Sequence, residues 1–319
     1  MNSSAFPSRR ALCRIFGLAG LARTLRLPLG ATGQLRWDAQ PDSRTAFTRF
    51  YRADAQVILL SVPLLRRQGV GAGSATWSEN DSVRLLDFTG YSVPERAAGL
   101  NRFGLIRELS RKHPEPAESI YFGLMTASPE ESAAEARNAL HKQAREQIYT
   151  AIEGRIAPGD LETVTSRFTA SASLSAARTA ELLALARQAL SRAPRRAPEF
   201  NPGRALQRTF LQALADLLQD PTQSHTQYIY NARLYSLWLR RYADPKATAF
   251  FRGKGQVPEH SKVIRAEGRL RREAGGKETS FQVWVEEGAR PMPMRIEYQA
   301  KPYLRLTFEA EAAGGRQAG

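Results

Sequence analysis

Cysteine is all but missing from this chain of 319 residues: there is one, Cys13. A lone cysteine allows no internal disulfide and no cysteine-rich metal site. Histidine is scarce as well. The four, His113, His141, His225 and His260, are far apart, with no pair at i+2 or i+4 and no His-Glu-x-x-His run. No stretch of 18 apolar residues occurs, which argues against a chain crossing a bilayer repeatedly by helices. Lysine is rare beside arginine, 7 against 39. Gly69-Val-Gly-Ala-Gly-Ser74 lacks the Gly-Lys-Ser/Thr ending of a phosphate loop, and its glycines miss the dinucleotide spacing. Ser74 has no Gly-x-Ser-x-Gly elbow around it. The glycines read instead as a bulged or sharply curved strand. No cofactor, metal site or catalytic residue is expected from the sequence.

What is present in excess is positive charge: 46 Lys+Arg against 31 Asp+Glu, a formal +15. The arginines are scattered and often sit beside acids, as in Arg265-Ala-Glu-Gly-Arg-Leu-Arg-Arg-Glu273. Two readings stand side by side. One is a preference for arginine on ordinary solvated faces. The other is a weak anionic surface contact, with lipid headgroups, a cell-wall polymer or nucleic acid as the partner.

The first 37 residues read as an export signal and leader. Arg9, Arg10 and Arg14 precede a short apolar run, Ile15 to Ala22, and no acid occurs before it. Ser8-Arg-Arg-Ala-Leu-Cys-Arg14 resembles the twin-arginine export motif, with Leu12 and Arg14 at its apolar and basic positions. The expected location is the periplasm or cell envelope. Loss of the leader's six arginines takes the formal +15 to +9, which is still basic. It also removes Cys13.

Four further segments follow. Residues 38–125 read mainly as strand, from Phe47 through Val83-Arg-Leu-Leu-Asp-Phe88 and again at 119–125. Residues 126–220 read as helical. Ser128-Pro-Glu-Glu131 is a capping box, followed by a stripe of Ala133, Ala136, Leu140, Ala144, Ile148 and Ile152 at helical spacing. A second helix is expected over 175–192, and a third runs from the Asn201-Pro202 cap to Asp220-Pro221. Residues 221–311 alternate with period two. Ile264, Val283, Ile296 and Leu306 share an inward face, while Arg265, Glu267, Arg269 and Arg271 face solvent, as does Trp284. Residues 312–319 carry nothing to bury and read as a disordered tail.

The segment Phe281-Gln-Val-Trp-Val-Glu-Glu-Gly-Ala-Arg-Pro-Met-Pro-Met-Arg-Ile-Glu297 resembles the DUF3108-like bacterial envelope proteins of unknown function. Trp284, Pro291, Pro293, Arg295 and Glu297 stand at the family's characteristic positions. The likeness extends over about residues 227–310. It implies a curved antiparallel sheet, a half-barrel, usually exported and without known catalysis. The fold class expected is therefore α+β: a curved antiparallel β-sheet with a helical insertion or cap.

A half-barrel with an apolar concave face raises the prospect of a lipid or other apolar ligand between sheet and helices. Met292, Met294 and Ile296 are the candidate walls, since thioether side chains adapt to irregular shapes. The competing arrangement has the helices plugging the concave face. Two further functions stay open: an envelope hydrolase using a carboxylate or histidine base, with Glu286, Glu287 and His260 as the groups at hand, and polyanion or nucleic-acid binding by the basic surface.

Overall fold

Strands dominate the computed structural model, which describes residues 35–37, 46–59, 62–97, 99, 101–111, 118–127, 146–171, 178–200, 208–276, 278–288 and 290–311. They are β1 (Phe47–Leu59), β2 (Val62–Glu79), β3 (Val83–Ser92), β4 (Phe103–Arg111), β5 (Ser119–Thr126), β6 (Glu146–Ala157) and β7 (Asp160–Ser171). After helix α1 (Thr179–Ser191) come β8 (Arg195–Arg196), helix α2 (Phe210–Gln219), β9 (His225–Tyr230) and β10 (Arg233–Ala243). Helix α3 (Pro245–Gly253) then leads to β11 (Val263–Arg272), β12 (Thr279–Glu286), β13 (Arg295–Lys301) and β14 (Leu304–Ala310).

The 14 strands of the described residues lie in one sheet, in the order β8-β7-β6-β5-β4-β3-β2-β1-β14-β13-β12-β11-β10-β9. Every pairing is antiparallel, and all but β1–β14 join neighbours in sequence or the ends of a short connection. The sheet does not close into a barrel, yet it curls strongly. Helix α2 shows this, because it touches strands from both halves. Its residues bond to β3 and β4 while Ala213, Leu217 and Leu218 pack against Tyr228, Leu237, Ala266 and Val283 of β9–β12. Ala215 meets Tyr51, Trp77 and Phe308. A single 10-residue helix can do this only if the sheet wraps around it. The face around α2 is therefore the concave one.

The outer face carries the other two helices. Leu182, Ala186 and Leu190 of α1 pack on Leu105, Phe122, Tyr149 and Ala170 of β4–β7. Phe251 of α3 packs on Val263, Trp284 and Met294. The open seam between β7 and β9 is latched by the segment after β8. The Glu199 amide donates to Ala232 O at 3.0 Å, and the Glu199 carboxylate takes Arg233 and Arg272. Thr165 adds a hydrogen bond to Asn231 at 2.7 Å.

The glycine run of β2 is the curved strand that its sequence suggests. The β1–β2 register shifts between Ala53 and Ala55, and Gly69 adopts φ 62°, a backbone shape glycine takes at no steric cost. Its amide donates to buried Asp54 at 2.9 Å. The inward set of the C-terminal meander is also as expected: Val283 lies in the concave core, with Ile264, Ile296 and Leu306 packed against it.

Several expectations are corrected. Ile148 and Ile152, read as part of a helix, sit in strand β6, and β7 follows within the segment read as helical. Alanine, Ile and Gln at mixed spacing fit either period, and the hairpin turn Pro158-Gly159, with Gly159 at φ 76°, decides for strands. The stripe before it and the Ser128 capping box lie outside the described residues. Of the third helix, the structure describes Phe210–Gln219, entered through Thr209 rather than Asn201-Pro202, which lie outside the described residues too. Trp284 is not solvent-facing but 6% exposed, because α3, unforeseen in the sequence, covers it. Leu35 and Trp37, counted with the leader, are core residues: Trp37 stacks on Phe122 at 4.0 Å and donates to Glu153 at 3.1 Å. The export motif itself, Cys13 and the tail 312–319 lie outside the described residues.

Candidate binding surface

The three residues proposed as an apolar wall do not form one. β13 begins only at Arg295, so strand alternation does not govern Met292 and Met294. Met292 packs with Tyr51, Ala75 and Phe308. Met294 is fully buried on the other side of the sheet, under α3 with Trp284 and Phe251. Ile296 lines the concave core near Met292 but not Met294.

The concave face itself is filled by α2, which is held by a buried acid. Glu108 of β4 accepts the Thr209 hydroxyl and the backbone N–H groups of Leu211 and Gln212, both at 2.9 Å. The Thr209 side chain thus serves the strand rather than its own helix, and Glu108 caps the helix in its place. Burial pushes the Glu108 carboxyl up to about 7, against the pull of the Thr209 hydroxyl and the Leu211, Gln212 and Phe210 amides. Further along α2, Asp216 takes Arg84 at 3.3 Å and Arg208 at 3.4 Å.

Two groupings of catalytic residue types appear. The loop before β11 and the end of β12 bring together His260, Ser261, Lys262, Glu286, Glu287 and Gly288 around an open hollow of about 410 Å³. The sequence offered His260 and the two glutamates separately, and the sheet register unites them. No hydrogen bond joins their side chains among the described residues, so no base is oriented for proton transfer. At the sheet edge, His225 Nε2 lies 3.1 Å from Ser236 Oγ, which donates to Glu273. Sequence reading missed this chain, whose members are spread over two strands and a turn. It is not a nucleophilic triad. The carboxylate binds the serine rather than orienting the histidine, and Ser236 is only 2% exposed.

The outer face of β10–β14 is the broadest grouping of polar side chains. Register puts Arg240, Glu267, Gln282, Glu297 and Thr307 in one row across five strands. The next row holds Arg269 beside Ser280, and Gln299 beside Arg305. Together with Tyr242, all of these but Thr307 line a depression of about 390 Å³. Cation–π contacts prop up the arginines. Arg240 and Arg265 lie over Tyr242 at 5.4 and 5.1 Å, and Arg271 lies 5.7 Å from the Trp238 ring, which stacks on His225. Arg265 reaches Glu267 at 3.2 Å, whereas Arg240, Arg271 and Arg305 have no carboxylate within ion-pair distance among the described residues. Alternation in 263–272 revealed this charged face, but the neighbouring strands that complete it required the register.

The upper row of that face is closed by α3. Arg295 binds Glu309 at 2.7 Å and lies 5.1–5.5 Å from the rings of Phe250, Trp284 and Phe251. Lys254 binds the same Glu309. Asp244 caps α3 through the Ala247 amide at 2.9 Å and accepts the Trp284 indole N–H at 3.0 Å. These groups hold structure and leave the lower rows open.

No family model matches the chain, and no curated protein is similar to it. Among solved structures it is similar to the crystal structure of a β-barrel-like protein of the domain of unknown function DUF1849 from Brucella abortus. That likeness covers 83% of this chain and 94% of that one, at 8% identity and a TM-score of 0.37. No helix among the described residues is long and apolar enough to cross a membrane.

Proposed function

We propose that this chain is an exported, non-enzymatic binding protein of the cell envelope, akin to the DUF3108-like proteins, that holds an acidic, hydroxyl-rich polymer on the outer face of β10–β14. One observation carries the reading: a groove floored by Gln282 and Glu297, with Arg240 and Arg305 at its ends and no carboxylate of the described residues within ion-pair distance of either. Arg240 and Arg305 supply charge for carboxylate or sulfate groups of a glycan, and Glu267, Glu297, Gln282 and Gln299 accept and donate to its hydroxyls. Nucleic acid fits less well. The two glutamates repel a phosphate backbone, and the rings of Trp238 and Tyr242 are engaged by His225 and arginines rather than free for base stacking. The leader supports export. The open hollow at His260 and the buried Ser236 support a role without catalysis. A lipid on the concave face would require α2 to leave it.

Titration of the full mature chain with a polyuronate, followed by calorimetry at low and moderate salt, tests this. Binding should weaken with salt, and Arg240→Glu with Arg305→Glu should lower affinity by about tenfold or more, equivalent to ~1.4 kcal/mol. No polyuronate binding at low salt, or an unaffected double variant, overturns the reading. Tighter binding of a single-stranded oligonucleotide that the double variant loses would move the function to nucleic acid.

A further inference from the structure

The carboxylate that anchors α2 is in an unusual position for a helix cap. Glu108 is 2% exposed and lies in the concave core. The groups facing it come from every element around it. From α2 and the residues before it come the Thr209 hydroxyl and the Leu211 and Gln212 amides. Leu86 stands opposite on β3. On β5, Ser119 bonds to Gln212 and Tyr121 bonds to Thr163. Tyr228 and Tyr230 of β9 lie near Glu108, and Tyr235 of β10 stacks on Tyr228 at 5.1 Å. The nearby ions, Arg84, Arg208 and Asp216, pair with one another and not with Glu108. Among the described residues the buried carboxylate is thus surrounded by dipoles and phenols, and no cation pairs with it.

We propose that α2 is a proton-linked plug: it docks in the concave face with a proton on Glu108 and loosens its hold when Glu108 ionises. The chemistry runs in one direction. Burial raises the cost of the ionised form, whereas a released helix leaves Glu108 in water with an ordinary carboxyl affinity. Docking therefore takes up a proton between pH 4.5, the ordinary value, and about 7. The helix is held most firmly at acid pH, progressively less as pH rises to about 7, and no less beyond. Release uncovers an apolar surface that includes Tyr228, Leu237, Phe281 and Val283.

Hydrogen exchange of the full chain tests the device. Corrected for intrinsic rates, protection of the α2 amides (210–219) should fall up to about tenfold per pH unit between 4.5 and 7 and then level off. Amides of β4, such as Leu105 and Leu109, should open less often than those of α2. In Glu108→Gln, which keeps the shape but has no proton to lose, the α2 profile should be flat. Flat protection in the wild type, or α2 exchange only together with the whole sheet, overturns the proposal. The carbon-13 shift of the Glu108 carboxyl gives a reading independent of any variant. An inflection near 7 supports the plug, and one at or below 4.5 overturns it.

Discussion

The ring of Tyr121 covers the α-carbon of Gly154 so closely that a methyl group there would lie 2.0 Å from the ring carbon Cζ. The two residues are register partners on β5 and β6. Tyr121 has no room to retreat, since it is fully buried, tilted against Tyr230 at 5.4 Å and bonded to Thr163 at 3.0 Å. Gly154→Ala should therefore destabilise the protein by roughly 1–3 kcal/mol or more through overpacking. Gly104→Ala is the control, because nothing lies within 4 Å of the added carbon. It should be neutral or slightly stabilising. Urea unfolding of both variants checks the pair.

Met294 separates a packed core from a ligand wall. It is fully buried between α3 and the sheet, so Met294→Ala should cost roughly 2–5 kcal/mol, the range for emptying a core site. A thermal melt that matches wild type would mean that the site is not packed as described.

Asp244 caps α3 and holds Trp284, so Asp244→Ala should cost about 1–2 kcal/mol from the cap, with the indole N–H left without its partner in addition. Burial works to raise the pKa of Asp244. The Ala247 amide, the Trp284 indole and the charges of Arg265 and Arg295 outweigh it, and the carboxyl ends below its ordinary 3.8. A depressed acid stabilises the fold above its unfolded value and loses that contribution as pH falls through the folded one. The stability gap between wild type and Asp244→Asn should therefore hold at neutral pH and narrow below about pH 4. Unfolding midpoints from pH 2.5 to 7 measure it.

Leu35 and Trp37 fix where a leader can end. A chain starting at residue 34 keeps the Trp37–Phe122 stack and its hydrogen bond to Glu153, and should unfold like the full chain. A chain starting at residue 38 loses a Trp that is 6% exposed and should be less stable by about 3 kcal/mol or more. Differential scanning calorimetry distinguishes the two. Amino-terminal sequencing of the mature protein should then find a start before Leu35.

Period-two alternation was a sound guide wherever one face of a strand meets solvent, as in 263–272. It failed for β6, whose outer face is covered by α1 and whose inner face meets β9. Strands buried on both sides carry mixed apolar runs, which helices share. Trp284 was misread for a related reason: alternation assigns a residue to the far face but does not say whether a helix lies over it. The key polar groups were invisible for another reason. Glu108 lies 101 residues from Thr209 in the chain, and Ser236 lies 37 from Glu273. Such partners meet only through register and curvature. The rows of the outer groove likewise combine residues from five strands, of which the sequence exposed one or two at a time.

The pairing of β1 with β14 at the middle of the sheet has a kinetic consequence. Each half of the sheet, β1–β8 and β9–β14, is built from antiparallel neighbours that are close in sequence, so each can zip up from hairpins at little loop-closure cost. The β1–β14 junction joins residues about 250 positions apart, and α2 must be captured by β4 on one side and β10 on the other. Assembly of the two halves around α2 is thus the step that pays the long-range entropy. A refolding chain should pass through an intermediate with both meanders formed and their shared strand pair still open, exposing two sheet edges at once to other copies.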